Sequence, residues 1–214
     1  MRNKKRSLLL LLASALVLLG TPIYSLATTV TVKLTGVNGA TQGGVYADPY
    51  YGTINKGSQV VLVCDDFNHE TDIGESWQAT VSTFADLNSV RFKQSTPEQT
   101  LQDYEEAAYL YNQLLSHPSQ YGDISFALWA LFSPNARNSS GFTPNSQNWL
   151  SKAQLQTFYV GEFSNFLILT PVNHEANSPQ EFLTTTATPE PASVLLLMSG
   201  LAAVSLLWRK KLLA

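Results

Sequence analysis

Charge is scarce in this sequence. Charged residues make up 14% of its 214 positions, against about 25% in ordinary soluble domains. Basic charge sits mostly at the ends, at Arg2, Lys4, Lys5 and Arg6 and again at Arg209, Lys210 and Lys211. Between Thr28 and Thr188 only six Lys and Arg face fifteen Asp and Glu, a net charge of −9. Nucleic acid is therefore not expected as a partner, because phosphate binding needs clustered Lys and Arg. Cysteine occurs once, at Cys64, which excludes an intrachain disulfide framework and a Cys-based zinc cluster. There is no internal repeat. There is no Gly-x-Ser-x-Gly elbow, and His69, His117 and His174 have no nucleophile beside them in sequence. No residue stands out as catalytic, and the chain is read as non-enzymatic.

Long apolar runs are present at both ends. Residues 1–27 combine basic Arg2 to Arg6, an apolar run from Leu8 to Leu19, and Ser25-Leu26-Ala27. This is the layout of a secretory signal peptide with cleavage between Ala27 and Thr28. At the other end, Ala192 to Trp208 is apolar for 17 residues, roughly 25 Å as a helix, near the lower limit for spanning a bilayer. Arg209, Lys210 and Lys211 then form a basic tail that stays cytoplasmic by the positive-inside rule. Before the run stands Pro189-Glu190-Pro191, whose two prolines keep the chain extended.

Pro189-Glu190-Pro191, the short apolar segment and the basic end together resemble the PEP-CTERM sorting signal of Gram-negative bacteria. The resemblance covers about 25 residues. It implies recognition and processing by an exosortase after export past signal peptidase, transient anchoring in the inner membrane, and delivery to the cell surface or extracellular matrix. It also implies a link to exopolysaccharide and biofilm.

The expected organisation is a signal peptide at 1–27, an extracytoplasmic domain at 28–183, a linker at 184–191, a transmembrane helix at 192–208 and a basic tail at 209–214. The domain reads as α+β. Thr29 to Thr35 alternates polar and apolar residues, Gln59 to Cys64 is a continuous apolar run, and Trp77 to Phe84 alternates again, so the first half is strand-rich. Pro97-Glu98 behind Ser95-Thr96 starts a helix that runs to Ser116. Ile124 to Phe132 is apolar on nearly every side, as a core helix is. Asn135 to Gln147 reads as a surface loop and Asn148 to Thr157 as a short helix. Phe166 to Pro171 is a last buried strand, giving two or three helices packed on the β-rich half.

Polar chemistry concentrates in Cys64-Asp65-Asp66-Phe67-Asn68-His69-Glu70-Thr71-Asp72-Ile73-Gly74-Glu75. Asp65, Asp66, Asp72 and Glu75 offer oxygens for calcium, though the spacing is not that of an EF-hand loop. The competing reading is a strand end whose Asp residues cap turns. On a strand, Asp65 and Asp66 point to opposite faces, which argues against a hydrolase that uses both on one bond. Tyr50, Tyr51, Trp149 and the Asn-rich 138–148 loop offer an aromatic and amide surface for a glycan.

Cys64, a tyrosine-rich helix and Ser125-Phe126-Ala127-Leu128-Trp129 follow one another in an order that resembles the thioester domains of Gram-positive adhesins. There a Cys side chain joins the Gln of a Thr-Gln-x-Ala motif. Here Ser125 stands at the Gln position and has no carboxamide, so the bond cannot form there. Cys64 is expected to be a free, mostly buried thiol at the end of a core strand.

Overall fold

The computed structural model describes residues 28–173, 175 and 177–186. The strands are β1 (Thr28–Val37), β2 (Thr41–Gln42), β3 (Val45–Tyr46), β4 (Tyr50–Ile54), β5 (Gln59–Cys64), β6 (Ser76–Ser82), β7 (Phe166–Pro171) and β8 (Phe182–Thr185). The helices are α1 (Pro97–Ser116), α2 (Tyr121–Phe132), α3 (Pro134–Arg137) and α4 (Pro144–Gln154). Six strands close into a barrel in the order β1-β4-β5-β8-β7-β6, while β2 and β3 form a small separate hairpin. The fold is α+β, with the helices inserted between β6 and β7.

Alternation builds the barrel. Along β1, Val30, Val32 and Leu34 are buried while Thr29, Lys33 and Thr35 are exposed. Antiparallel register carries that parity round the barrel through Val32 opposite Trp77 and Cys64 opposite Phe182. Phe182 packs on Tyr50 at 5.6 Å and on Trp77 at 5.8 Å, so side chains fill the interior, as in other small barrels. The opposite faces of β5, β7 and β8 carry Val63, Phe166, Ile168 and Leu183, all buried. Helix α1 covers this outer face, with Tyr111 edge-on to Phe166 at 5.0 Å. These strands are therefore apolar on both faces, which explains their continuous runs.

Local chemistry fixes the connections. Asn55 and Lys56 adopt φ of 51° and 60° between β4 and β5, the left-handed pair a tight hairpin turn requires. Thr96 caps α1 by accepting from the Gln99 amide, with Pro97 in the first turn. The 135–147 segment differs from its loop reading. It contains α3, and α4 begins at Pro144 through a capping box between Thr143 and Ser146. The barrel also extends beyond the expected boundary. Thr184 and Thr185 belong to β8 rather than to a linker, and Leu183 and Phe182 pair with Val63 and Cys64 of β5.

Candidate functional site

Strand β5 ends in Cys64, and the chain beyond it keeps the two-residue alternation for two more positions. Asp65 and Asp66 are both fully buried, and they face opposite ways. Asp65 turns to the outer side, under α1, where it meets Glu181. The Glu181 carboxylate accepts from the Tyr104 hydroxyl, from the Thr170 hydroxyl and from the Arg91 amide, the last at 2.8 Å. Neither Asp65 oxygen meets a donor from another group. Two carboxyls in one dry site cannot both ionise. Burial first, and then the charge of Glu181, push the Asp65 carboxyl well above the usual range. Burial also raises Glu181, but its hydrogen bonds oppose the shift. Of the two, Asp65 is therefore the carboxyl that holds the proton beside Glu181.

Asp66 turns the other way and is held by a different set of partners. The Arg91 guanidinium donates to its carboxylate, the two side chains being 9% and 0% exposed. His69 Nδ1 lies 2.9 Å from the same carboxylate, and the Asn68 amide donates to it at 3.1 Å. Arg91 also donates to the Ser178 hydroxyl at 2.9 Å. Gln180 donates to the Asp66 carbonyl at 3.0 Å, and its own amide donates to the Thr71 hydroxyl at 2.8 Å. This network holds the 66–73 loop against the barrel.

That loop forms one wall of a cleft of about 870 Å³. The β2–β3 hairpin forms the opposite wall, and Tyr50, Phe67 and Trp129 line the depth between them. An isolated hairpin this short is not stable by itself. Here Gln42 donates to the Gly141 carbonyl at 2.7 Å and to Asp123 at 3.3 Å, while Asp48 accepts from the Ala40 amide at 2.8 Å. Tyr46 stands at the mouth, 47% exposed, beside the exposed Val45 and Ile73. His69, Glu70, Thr71, Asp72 and Gln180 supply the polar groups. An aromatic-walled cleft with a few converging polar groups is the usual form of a small-ligand site.

The expected residues are placed as follows. Cys64 is free and buried, its Sγ 3.2 Å from the Asp66 carbonyl and 3.3 Å from the Asp66 amide. Burial pushes its thiol up, which makes it a poor nucleophile. The Ser125–Trp129 segment does lie against Cys64, through the Trp129 indole. Asp65, Asp66, Asp72 and Glu75 do not converge on one point. The first two are engaged as described, and Glu75 accepts from the Asp72 amide at 3.0 Å in the loop. Among the described residues, no group of three His, Cys, Asp or Glu side chains can hold a metal ion. Of the glycan candidates, Tyr50 lines the cleft but Tyr51 lies on the other face of β4. Trp149 is buried, donating to Gln120 at 3.0 Å beneath Lys152, and the 138–148 segment supplies Gly141 as a hairpin anchor rather than a binding surface.

Arg91, Tyr104, Thr170 and Glu181 escape sequence reading. Each lies at least 25 residues from the Asp65–Asp66 pair in sequence, so no local spacing marks them. Residues 1–27, Pro189, Glu190, Pro191, the apolar run at 192–208 and Arg209, Lys210 and Lys211 lie outside the described residues, as does His174. No helix among the described residues is long and apolar enough to cross a membrane.

No curated protein and no solved structure matches the chain. Residues 187–211, which begin directly after Thr186, match the family model of the PEP-CTERM protein-sorting motif, and the chain is therefore a carrier of the exosortase sorting signal.

Proposed function

We propose that this protein is a non-catalytic surface or matrix protein whose barrel holds carbohydrate in the cleft between the β2–β3 hairpin and the 66–73 loop. The sorting motif implies an exosortase-processed extracellular protein, and exopolysaccharide is the abundant polymer in that setting. The observation that carries the reading is the cleft itself. Tyr46 presents an exposed ring at its mouth, Tyr50, Phe67 and Trp129 give it apolar depth, and Gln180, Thr71 and Glu70 offer groups that exchange hydrogen bonds with hydroxyls. Aromatic faces meet the apolar faces of sugar rings, and amide and carboxylate groups meet their edges.

A non-catalytic role is supported by the state of the acidic groups. Asp65 and Glu181 are sealed under α1, and Asp66 is held by Arg91. The exposed Glu70 and Asp72 have no ion-pair partner among the described residues.

Isothermal titration against neutral β-linked oligosaccharides tests the reading. Micromolar to millimolar binding is expected, weakened about tenfold in Tyr46→Ala by loss of one ring face. Absence of heat and of any shift in melting temperature across the panel overturns it.

A further inference from the structure

We propose that the cleft selects carbohydrate bearing free amines, such as partly deacetylated hexosamine chains, over neutral or anionic polymers. The inference rests on the carbohydrate reading and specifies its ligand class.

Every charged carboxylate or cation on the cleft lining has one sign. Glu70 and Asp72 are exposed on the loop wall, and among the described residues no Lys or Arg lines the cleft. Glu75 adds a third carboxylate beside Asp72, held there by the Asp72 amide. Arg91 stands behind this wall, and its guanidinium is committed to Asp66 and Ser178. The lining His69 turns its Nδ1 to Asp66. Nothing in the cleft therefore offers positive charge to a uronate, sulfate or phosphate group. An anionic chain entering between low-dielectric walls meets repulsion from the rim and from a body of net charge −9. A neutral chain gains ring stacking and hydrogen bonds only. A chain with protonated amines gains those and, in addition, attraction to Glu70 and Asp72 and to the exposed face of Tyr46. Charge complementarity of this kind speeds encounter and excludes wrong partners more than it adds affinity, so it acts as a filter on which matrix polymer is held.

The test compares three oligomers of equal length on the full mature chain: partly deacetylated β-linked hexosamine, its fully N-acetylated form, and a hexuronate. The deacetylated oligomer is expected to bind at least about tenfold more tightly than the acetylated one, with the preference shrinking as salt rises. The double variant Glu70→Gln with Asp72→Asn keeps hydrogen-bonding groups at two exposed positions and should erase the preference, affinity for the deacetylated oligomer falling to that for the acetylated one. Equal affinity for the two forms, a preference that survives in the double variant, or tightest binding of hexuronate overturns the amine filter and leaves the carbohydrate reading standing. If none of the three binds, both fall together.

Discussion

The indole N–H of Trp129 donates to the carbonyl oxygen of Cys64 at 2.9 Å, joining α2 to the end of β5 across 65 residues of sequence. The same ring packs on Phe126 at 4.9 Å and on Phe67 at 5.5 Å, and it lines the cleft. One side chain thus ties the helical layer, the barrel and the ligand-facing surface. Trp129→Phe keeps most of the packing but leaves a buried carbonyl without its donor. A loss of about 1–3 kcal/mol is expected in urea unfolding. Thiol labelling of Cys64 in the folded protein should rise with it, since the wild-type thiol is sealed. Unchanged stability together with unchanged labelling would refute the tie.

The Asp65–Glu181 pair sets a pH dependence whose sign is opposite to that of an ordinary salt-bridged carboxylate. An unfolded Asp titrates near about 3.9, and in the fold burial and Glu181 hold Asp65 protonated well above that. Between the two values folding takes up a proton, so stability is greatest at the acidic end and falls as pH rises. The slope for one proton is about 1.4 kcal/mol per pH unit. Glu181 and Asp48 shift in the same direction through burial and add to the fall. Asp65→Asn keeps the shape of the side chain beside Glu181 and removes one titration. Its urea midpoints from about pH 5 to about pH 8 should fall less steeply than those of the wild type, and at the alkaline end it should be the more stable protein. Parallel slopes would count against the placement of the proton.

Arg91 is the one cation buried against Asp66, and its own amide holds Glu181. Arg91→Met removes the charge and keeps the stem. It leaves Asp66 with His69 and the Asn68 amide alone, at an expected cost of about 3–5 kcal/mol. The double variant with Asp66→Asn should recover part of that loss, which a double-mutant cycle reads directly. Additive losses would show that the two side chains do not depend on each other.

The cleft wall has its own weak point at Gly141. A Cβ there would stand 2.1 Å from Phe126 Cζ and 2.4 Å from Cε2, on an aromatic ring buried in the core. Gly141→Ala should cost about 1–3 kcal/mol through overpacking. It should also move the carbonyl that receives Gln42. Gln42→Ala separates the two effects. It barely alters the melting temperature but frees the β2–β3 hairpin, so ligand affinity drops because binding must now order that wall.

The parts of the fold that follow a local rule are those a reader of the sequence finds. Val30, Val32 and Leu34 alternate and form β1, and Thr96 with Pro97 marks the start of α1. Thr143 with Pro144 carried the same kind of signal for α4, but the surrounding Asn and Ser residues read as loop. Strand β8 is four residues long and half threonine, and nothing local distinguishes it from the tail that follows, so closure of the barrel is not legible. The opposed directions of Asp65 and Asp66 follow from strand parity, whereas their partners arrive from α1, β7 and the segments around Arg91 and Ser178. Cleft formation depends on Gln42 reaching Gly141, 99 residues away, a relationship with no trace in spacing.

The position of β8 has a mechanical consequence for processing. This strand lies between β5 and β7, so the barrel stays open until Thr185 has been delivered. Two residues, Ala187 and Thr188, then separate Thr186 from Pro189, a reach of about 10 Å between the two even when fully stretched. A processing enzyme that grips the Pro-Glu-Pro segment after folding must work in the shadow of the closed barrel, and one that acts before closure must hold a chain whose last staple is missing. Lengthening this tether with a few glycines would relieve the crowding in the first case, making cleavage rate against tether length a ruler for the order of folding and sorting.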